Sequence, residues 1–202
     1  MMENWSEGKG PPFSVQTTAL KAGTPDRAAM TWGTYGGHAG VWRLLKILDE
    51  NKVPATFCAN AHALELAPEA ARQIIRSGPE VAAHCYLQDH LLADMTPEEE
   101  RVAIRRSAAI VTSVTGHAPK GWLSSVLASS EHTERFVAEE GFLWSGDYNH
   151  IDQPCCVTVA TGGGDQERAS PMPHSSTNPS GSWTASLSDS EAELSRSCHL
   201  ER

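Results

Sequence analysis

The hydrophobic pattern switches repeatedly between short apolar runs and longer segments of helical period. One helix announces itself at Thr96-Pro97-Glu98-Glu99, where Thr96 caps, Pro97 fits the first helical position and Glu99 closes a capping box. Ile104, Ala108 and Val111 then fall at i, i+4 and i+7, and Gly116 ends the run. Further helices are predicted from Val41 to Asn51, from Pro68 to Ser77 with Gly78 as the stop, and from Glu131 to Glu140 with Gly141 as the stop. Strands are predicted from Pro54 to Asn60, at Val81, from Lys120 to Leu123 and from Phe142 to Trp144. Short strands alternating with amphipathic helices give an α/β fold with mainly parallel pairing.

The two ends depart from this pattern. Residues 1 to 40 are rich in Gly, Pro and Thr, and Thr31-Trp32-Gly33-Thr34-Tyr35-Gly36-Gly37-His38 reads as a loop carrying aromatic side chains. Surface packing is its expected role, with a substrate-covering loop as the alternative. From Val157 onward come Gly162-Gly163-Gly164, ten serines and few large apolar residues, so residues 157–202 are expected to be a disordered tail on a domain of residues 1–156.

Length and charge narrow the picture. A complete (β/α) barrel takes about 250 residues, whereas this chain has 202, of which 40% are hydrophobic. The expectation is therefore an incomplete barrel with open strand edges, either closed by forming a homo-oligomer or belonging to a fragment. A net charge of -9 without a Lys/Arg cluster argues against nucleic acid as a partner. No run reaches the length of a membrane span, and the start Met1-Met2-Glu3-Asn4-Trp5 lacks the pattern of a signal peptide, so a cytoplasmic address is expected. Five cysteines, an odd number without paired spacing, suggest reduced thiols rather than a disulfide framework.

Candidate chemistry gathers where strands end. Val81-Ala82-Ala83 runs into His84, and the polar loop to His90 follows. In a (β/α) barrel that position faces the catalytic cleft, although a histidine there also serves as hydrogen-bonded structure. Asp147 and Asp152 lie beyond the strand ending at Trp144 and are candidates for substrate contact, with a solvated loop as the alternative. Trp122 is placed beneath the site, as core and as a further substrate-contact candidate.

Gly78-Pro79-Glu80-Val81-Ala82-Ala83-His84 with Tyr86, then Gly121-Trp122, then Glu139-Glu140-Gly141-Phe142-Leu143-Trp144, together resemble the polysaccharide deacetylase superfamily, and most of all its allantoinase-like branch. The resemblance covers about residues 3 to 155. It implies a distorted (β/α) barrel, here incomplete, and hydrolysis of a non-peptide C–N bond in N-acetylated sugars or small amides and ureides. In such enzymes a pair of acids follows the first strand. Glu3 stands where the base belongs, Asn4 takes the place of the second acid, and the strand itself looks missing.

The family's His-x3-His metal motif is represented by His84 and Gln88, and His90 is the candidate substitute for the second imidazole. The arginine that follows Gly-Trp in the family is replaced by Leu123-Ser124-Ser125, and the last histidine motif has only His174 as a match by residue type. The resemblance therefore implies either no cofactor or a divalent metal such as zinc held by His84 and His90. The leading expectation is a hydrolase in which Glu3 activates water and His84 polarises the scissile carbonyl. A metal-dependent polysaccharide N-deacetylase and a catalytically inactive remnant are the alternatives. The shift in composition after Cys156 further suggests a change of reading frame or a join to foreign sequence.

Overall fold

The structure is a computed structural model that describes residues 1–7, 9–10, 20–21, 23–148, 155–161 and 164–170. Four short strands follow one another in parallel: β1 (Thr56–Ala59), β2 (Glu80–Ala83), β3 (Gly121–Trp122) and β4 (Trp144–Ser145). Their registers bring Ala59 beside Ala83, Ala83 beside Trp122, and Trp122 beside Ser145, so the C-terminal ends of all four strands lie together.

The helices between them form for the reasons the sequence offers. In α5 (Pro97–Thr115) the Thr96 side chain accepts from the Glu99 amide, and the Glu99 carboxylate accepts from the Thr96 amide at 2.9 Å. Gly116, at φ 81, then ends the helix in the left-handed conformation that favours glycine. Helix α4 (Pro68–Ser77) buries Ala70, Ala71 and Ile74, while α2 (Val41–Asn51) buries Val41 and Leu45. With α6 (Thr133–Glu139), these helices close over a core that includes Phe57, Val81, Ile104, Trp122, Phe136 and Phe142.

Four features differ from expectation. The segment read as an aromatic loop is helical: α1 (Arg27–Tyr35) is capped by Asp26, whose carboxylate accepts from the Ala29 amide at 2.9 Å, and it runs into a π-helix, Gly36–Gly40. A short helix α3 (Ala61–Leu66) follows β1 directly. The strand that looked missing at the chain start is present as a single parallel bridge from Met2 to Ala59, in which the Met2 amide donates to the Cys58 carbonyl and the Asn60 amide to the Met2 carbonyl, both at 2.9 Å.

The fourth difference lies beyond residue 156. β5 (Cys155–Thr161) and β6 (Gly164–Ser170) form an antiparallel pair, and β6 joins β4 in parallel to give the order β1-β2-β3-β4-β6-β5. Polar stretches such as Asp165-Gln166-Glu167-Arg168 carry no apolar signal, yet backbone pairing with a neighbouring strand holds them extended. The rest of the expected tail, from residue 171, lies outside the described residues, as do Asp152 and His174. Cys58 and Cys85 are free thiols as expected, whereas Cys156 is disulfide-bonded, against the expectation of reduced cysteines throughout.

Candidate active site

Each strand delivers a polar residue to the shared end of the sheet. Asn60 follows β1, His84 follows β2, Ser124 and Ser125 follow β3, and Asp147 follows β4. The Met2 bridge places Glu3 and Asn4 next to them, because the Asn4 amide donates to Asn60 Oδ1 at 2.9 Å and the Gln88 amide to the Asn4 carbonyl at 2.7 Å.

His84 is the centre of the arrangement. Its ring is 1% exposed, and Nδ1 lies 2.7 Å from the Leu123 carbonyl. A carbonyl can only accept, so Nδ1 carries the proton of that bond. The other nitrogen, Nε2, is buried without a hydrogen-bond partner and faces Glu3 Oε1 at 3.8 Å, beyond hydrogen-bonding distance. Buried polar atoms are ordinarily satisfied. An unsatisfied nitrogen aimed toward a carboxylate is the arrangement expected of a ring waiting for a reactant.

Asp147 is half-buried, and Ser124 serves it twice, with its amide at 2.7 Å and its hydroxyl at 2.6 Å. Burial pushes the Asp147 carboxyl above the usual carboxylate range, against the opposing pull of the two Ser124 hydrogen bonds and the nearby His84 ring. Both of these donors are neutral groups of one residue, Ser124. Its hydroxyl also accepts from Trp122 Nε1 at 3.1 Å.

Asn60 ties the site together from below. It is fully buried, and its amide donates to the His84 carbonyl while Oδ1 holds Asn4. The loop after β3 is strained, with Val126 and Leu127 both at φ 56, a left-handed conformation that bulky side chains seldom adopt. Cys85 is also left-handed, at φ 53, and its buried sulfur accepts from the Ser125 amide at 3.3 Å.

The structure thus brings Glu3, His84 and Asp147 to one end of the sheet. Trp122, expected to touch substrate, is fully buried and packs edge-on against Phe142 with ring centroids 5.3 Å apart, so it reaches the site only through Ser124. His90 is exposed, and its Nε2 meets the Ser6 hydroxyl at 3.2 Å. It lines a separate cleft of about 410 Å3 with Arg106 and Tyr86, and has no hydrogen bond or ion pair with His84 among the described residues.

A zinc ion does not fit this donor set. Catalytic zinc sites take three protein ligands, and among the described residues no group of three or more His, Cys, Asp or Glu side chains is arranged to hold a metal. Gln88 stands where a second imidazole would be, and its Oε1 faces the Asn60 amide at 3.4 Å. Asn4 in place of a second acid leaves Glu3 and His84 as a pair.

A cleft of about 470 Å3 opens beside Glu3, between the chain start and the junction of α1 with the π-helix, and His84 is not among the residues that line it. Glu3 lines it together with Trp5, Trp32, Tyr35 and His38.

Comparison with known proteins agrees with this architecture. Residues 21–142 match the family described as polysaccharide deacetylase. A peptidoglycan deacetylase of Helicobacter pylori is 30% identical over 120 residues, which are 59% of this chain and 41% of that protein, so the chain spans about two-fifths of the curated relative's length. A solved structure from Mycobacterium smegmatis, assigned as a polysaccharide deacetylase, superimposes with a TM-score of 0.65 at 29% identity, covering 85% of this chain and 62% of the other. The structure of Puue allantoinase gives a TM-score of 0.63 at 27% identity, covering 77% of this chain and 49% of the other.

Proposed function

Because the chain belongs to the polysaccharide deacetylase family, we propose that it hydrolyses a non-peptide C–N bond of an amide or ureide at the Glu3–His84 pair. The observation that carries this is the buried, unpartnered Nε2 of His84 facing the Glu3 carboxylate at 3.8 Å.

Glu3 takes a proton from water as the water oxygen attacks the carbonyl carbon, and the carbonyl electron pair moves to its oxygen. His84 stabilises that oxygen through Nε2–H. Since the Nδ1 proton is committed to the Leu123 carbonyl, Nε2 carries hydrogen only when the ring is the imidazolium. Collapse of the adduct breaks the C–N bond, and the proton held by Glu3 passes to the leaving nitrogen. The products are a carboxylic acid, or a carbamate in the case of a ureide, and the free amine. No step passes through a metal.

Turnover of an N-acetylated amino sugar and of a small ureide, each measured for wild type, His84→Ala and chelator-treated protein, tests the proposal. Loss of turnover in the variant with full turnover after chelation is expected. Full activity of the variant together with sensitivity to chelator would overturn it.

A further inference from the structure

Glu3 is carried by a segment with little sheet pairing: among the described residues, the bridge from Met2 to Ala59 is the one link of the chain start to the sheet. Chain ends fray unless they are tied down, and a lone bridge before Glu3 leaves the residues after it to be held by something else. The ties lie in the loop that begins at His84. The Gln88 amide donates to the Asn4 carbonyl at 2.7 Å, and the Ser6 amide donates to Asp89 Oδ1 at 2.9 Å. Lys9 Nζ donates to Asp89 Oδ2, also at 2.9 Å, and the Ser6 hydroxyl meets His90 Nε2 at 3.2 Å.

Asp89 is where these ties converge. Each of its oxygens accepts from the chain start, one from a backbone amide and one from an ammonium. Its side chain is 16% exposed, against 64% for Lys9, so the bond from the Ser6 amide is the better screened and the stronger of the two. Asp89 lines neither the cleft beside Glu3 nor the one beside His90, which leaves it no direct part in holding a ligand there. Its place in the chain gives it another: one short loop carries the His84 ring at its start and, through Asp89, fastens the segment whose Glu3 carboxylate faces that ring at 3.8 Å.

We propose that Asp89 is a positioning residue for Glu3, a clasp that holds residues 4–9 against the His84 loop and so fixes the carboxylate opposite Nε2. The clasp rests on the hydrogen bonds alone; its effect on turnover rests on the proposed reaction.

Amide hydrogen exchange tests the clasp without turnover. The decisive amide is Asn4, next to Glu3, because its own acceptor is Asn60 and Asp89 does not touch it. In Asp89→Ala, exchange at Asn4 should rise about tenfold or more, the loss expected when a charged acceptor is removed, while the Ile104 amide in the core keeps its protection. Asp89→Asn retains an oxygen for the Ser6 amide and should recover most of the protection. With a small ureide or an N-acetylated amino sugar as substrate, Asp89→Ala should lower kcat on the order of a hundredfold with KM unchanged, as displacement of a catalytic group by about 1 Å does, and Asp89→Asn should recover most of that loss. Absence of turnover in wild type would refute the proposed reaction and leave the exchange result to decide the clasp. Wild-type exchange at Asn4 in Asp89→Ala, or an equal loss of protection at Ile104, would overturn the assignment.

Discussion

Replacing Asn60 by alanine strikes the point where the chain start, β1 and β2 are joined. Two hydrogen bonds go with the side chain: the one accepted from the Asn4 amide at 2.9 Å and the one donated to the His84 carbonyl. The contacts with Gln88 Oε1 at 3.4 Å and Ser125 Oγ at 3.5 Å are too long to weigh much. Each lost bond is worth about 1 kcal/mol net, and the buried carbonyl left without a donor adds a desolvation penalty, so the total is about 2–4 kcal/mol.

For a domain of this size that loss corresponds to a fall in Tm of about 4–16 °C. Urea unfolding followed by tryptophan fluorescence reads the same quantity as a shift in midpoint at constant slope. Asn60→Asp keeps the acceptor for Asn4 but sets a carboxylate against the His84 carbonyl. It should be at least as destabilising as alanine at neutral pH and recover as acid protonates the new carboxyl. A loss below about 0.5 kcal/mol for Asn60→Ala would refute the argument that these buried bonds hold the site.

Burial pushes the Cys58 thiol up to about 11 and the Cys85 thiol up to about 12 from an ordinary value of 9.0. In the unfolded chain both ionise first, so the stability present below pH 9.0 should decline as pH rises toward the folded values, and neither thiol should react with a disulfide reagent in the native state; fast native-state labelling at either cysteine would contradict this. Gly121→Ala would bring a Cβ within 1.9 Å of the Trp144 ring. It should destabilise by about 1–3 kcal/mol or more, with partial recovery on adding Trp144→Leu, read from urea midpoints.

Legibility followed the kind of signal each element carries. Helix α5 was readable to the residue because Thr96, Pro97, Glu99 and Gly116 are local instructions that need no tertiary context. Helix α1 was hidden because its Trp32 and Tyr35 face a cleft instead of the core, and its glycines at positions 33, 36 and 37 look like a loop. At Gly37 the reason is close approach, since a Cβ there would come within 2.9 Å of Ala67 Cβ, a contact that only the folded chain reveals. Strands β5 and β6 owe their form to each other and to β4, a dependence that periodicity does not encode.

Among candidate site residues, the place of His84 was legible because a polar side chain at a strand's C-terminal end is informative by position. Asn60 satisfies the same rule at the end of the preceding strand and was passed over as a strand terminus. The pairing of Ser124 with Asp147 was not legible because it depends on β3 lying beside β4, which no local signal encodes. Trp122 was legible as core, and the structure buries it fully.

The chain of bonds from Trp122 Nε1 through Ser124 Oγ to Asp147 makes the interior an informant of the candidate site. Any change that rotates the Trp122 indole, such as a cavity made at Phe142, alters what Ser124 can offer the carboxylate without touching the cleft. Packing faults deep in the protein should therefore surface as changes in the acidity of Asp147 before they appear as unfolding. Trp122 itself, screened from water and bonded to that hydroxyl, supplies a built-in optical gauge of the event.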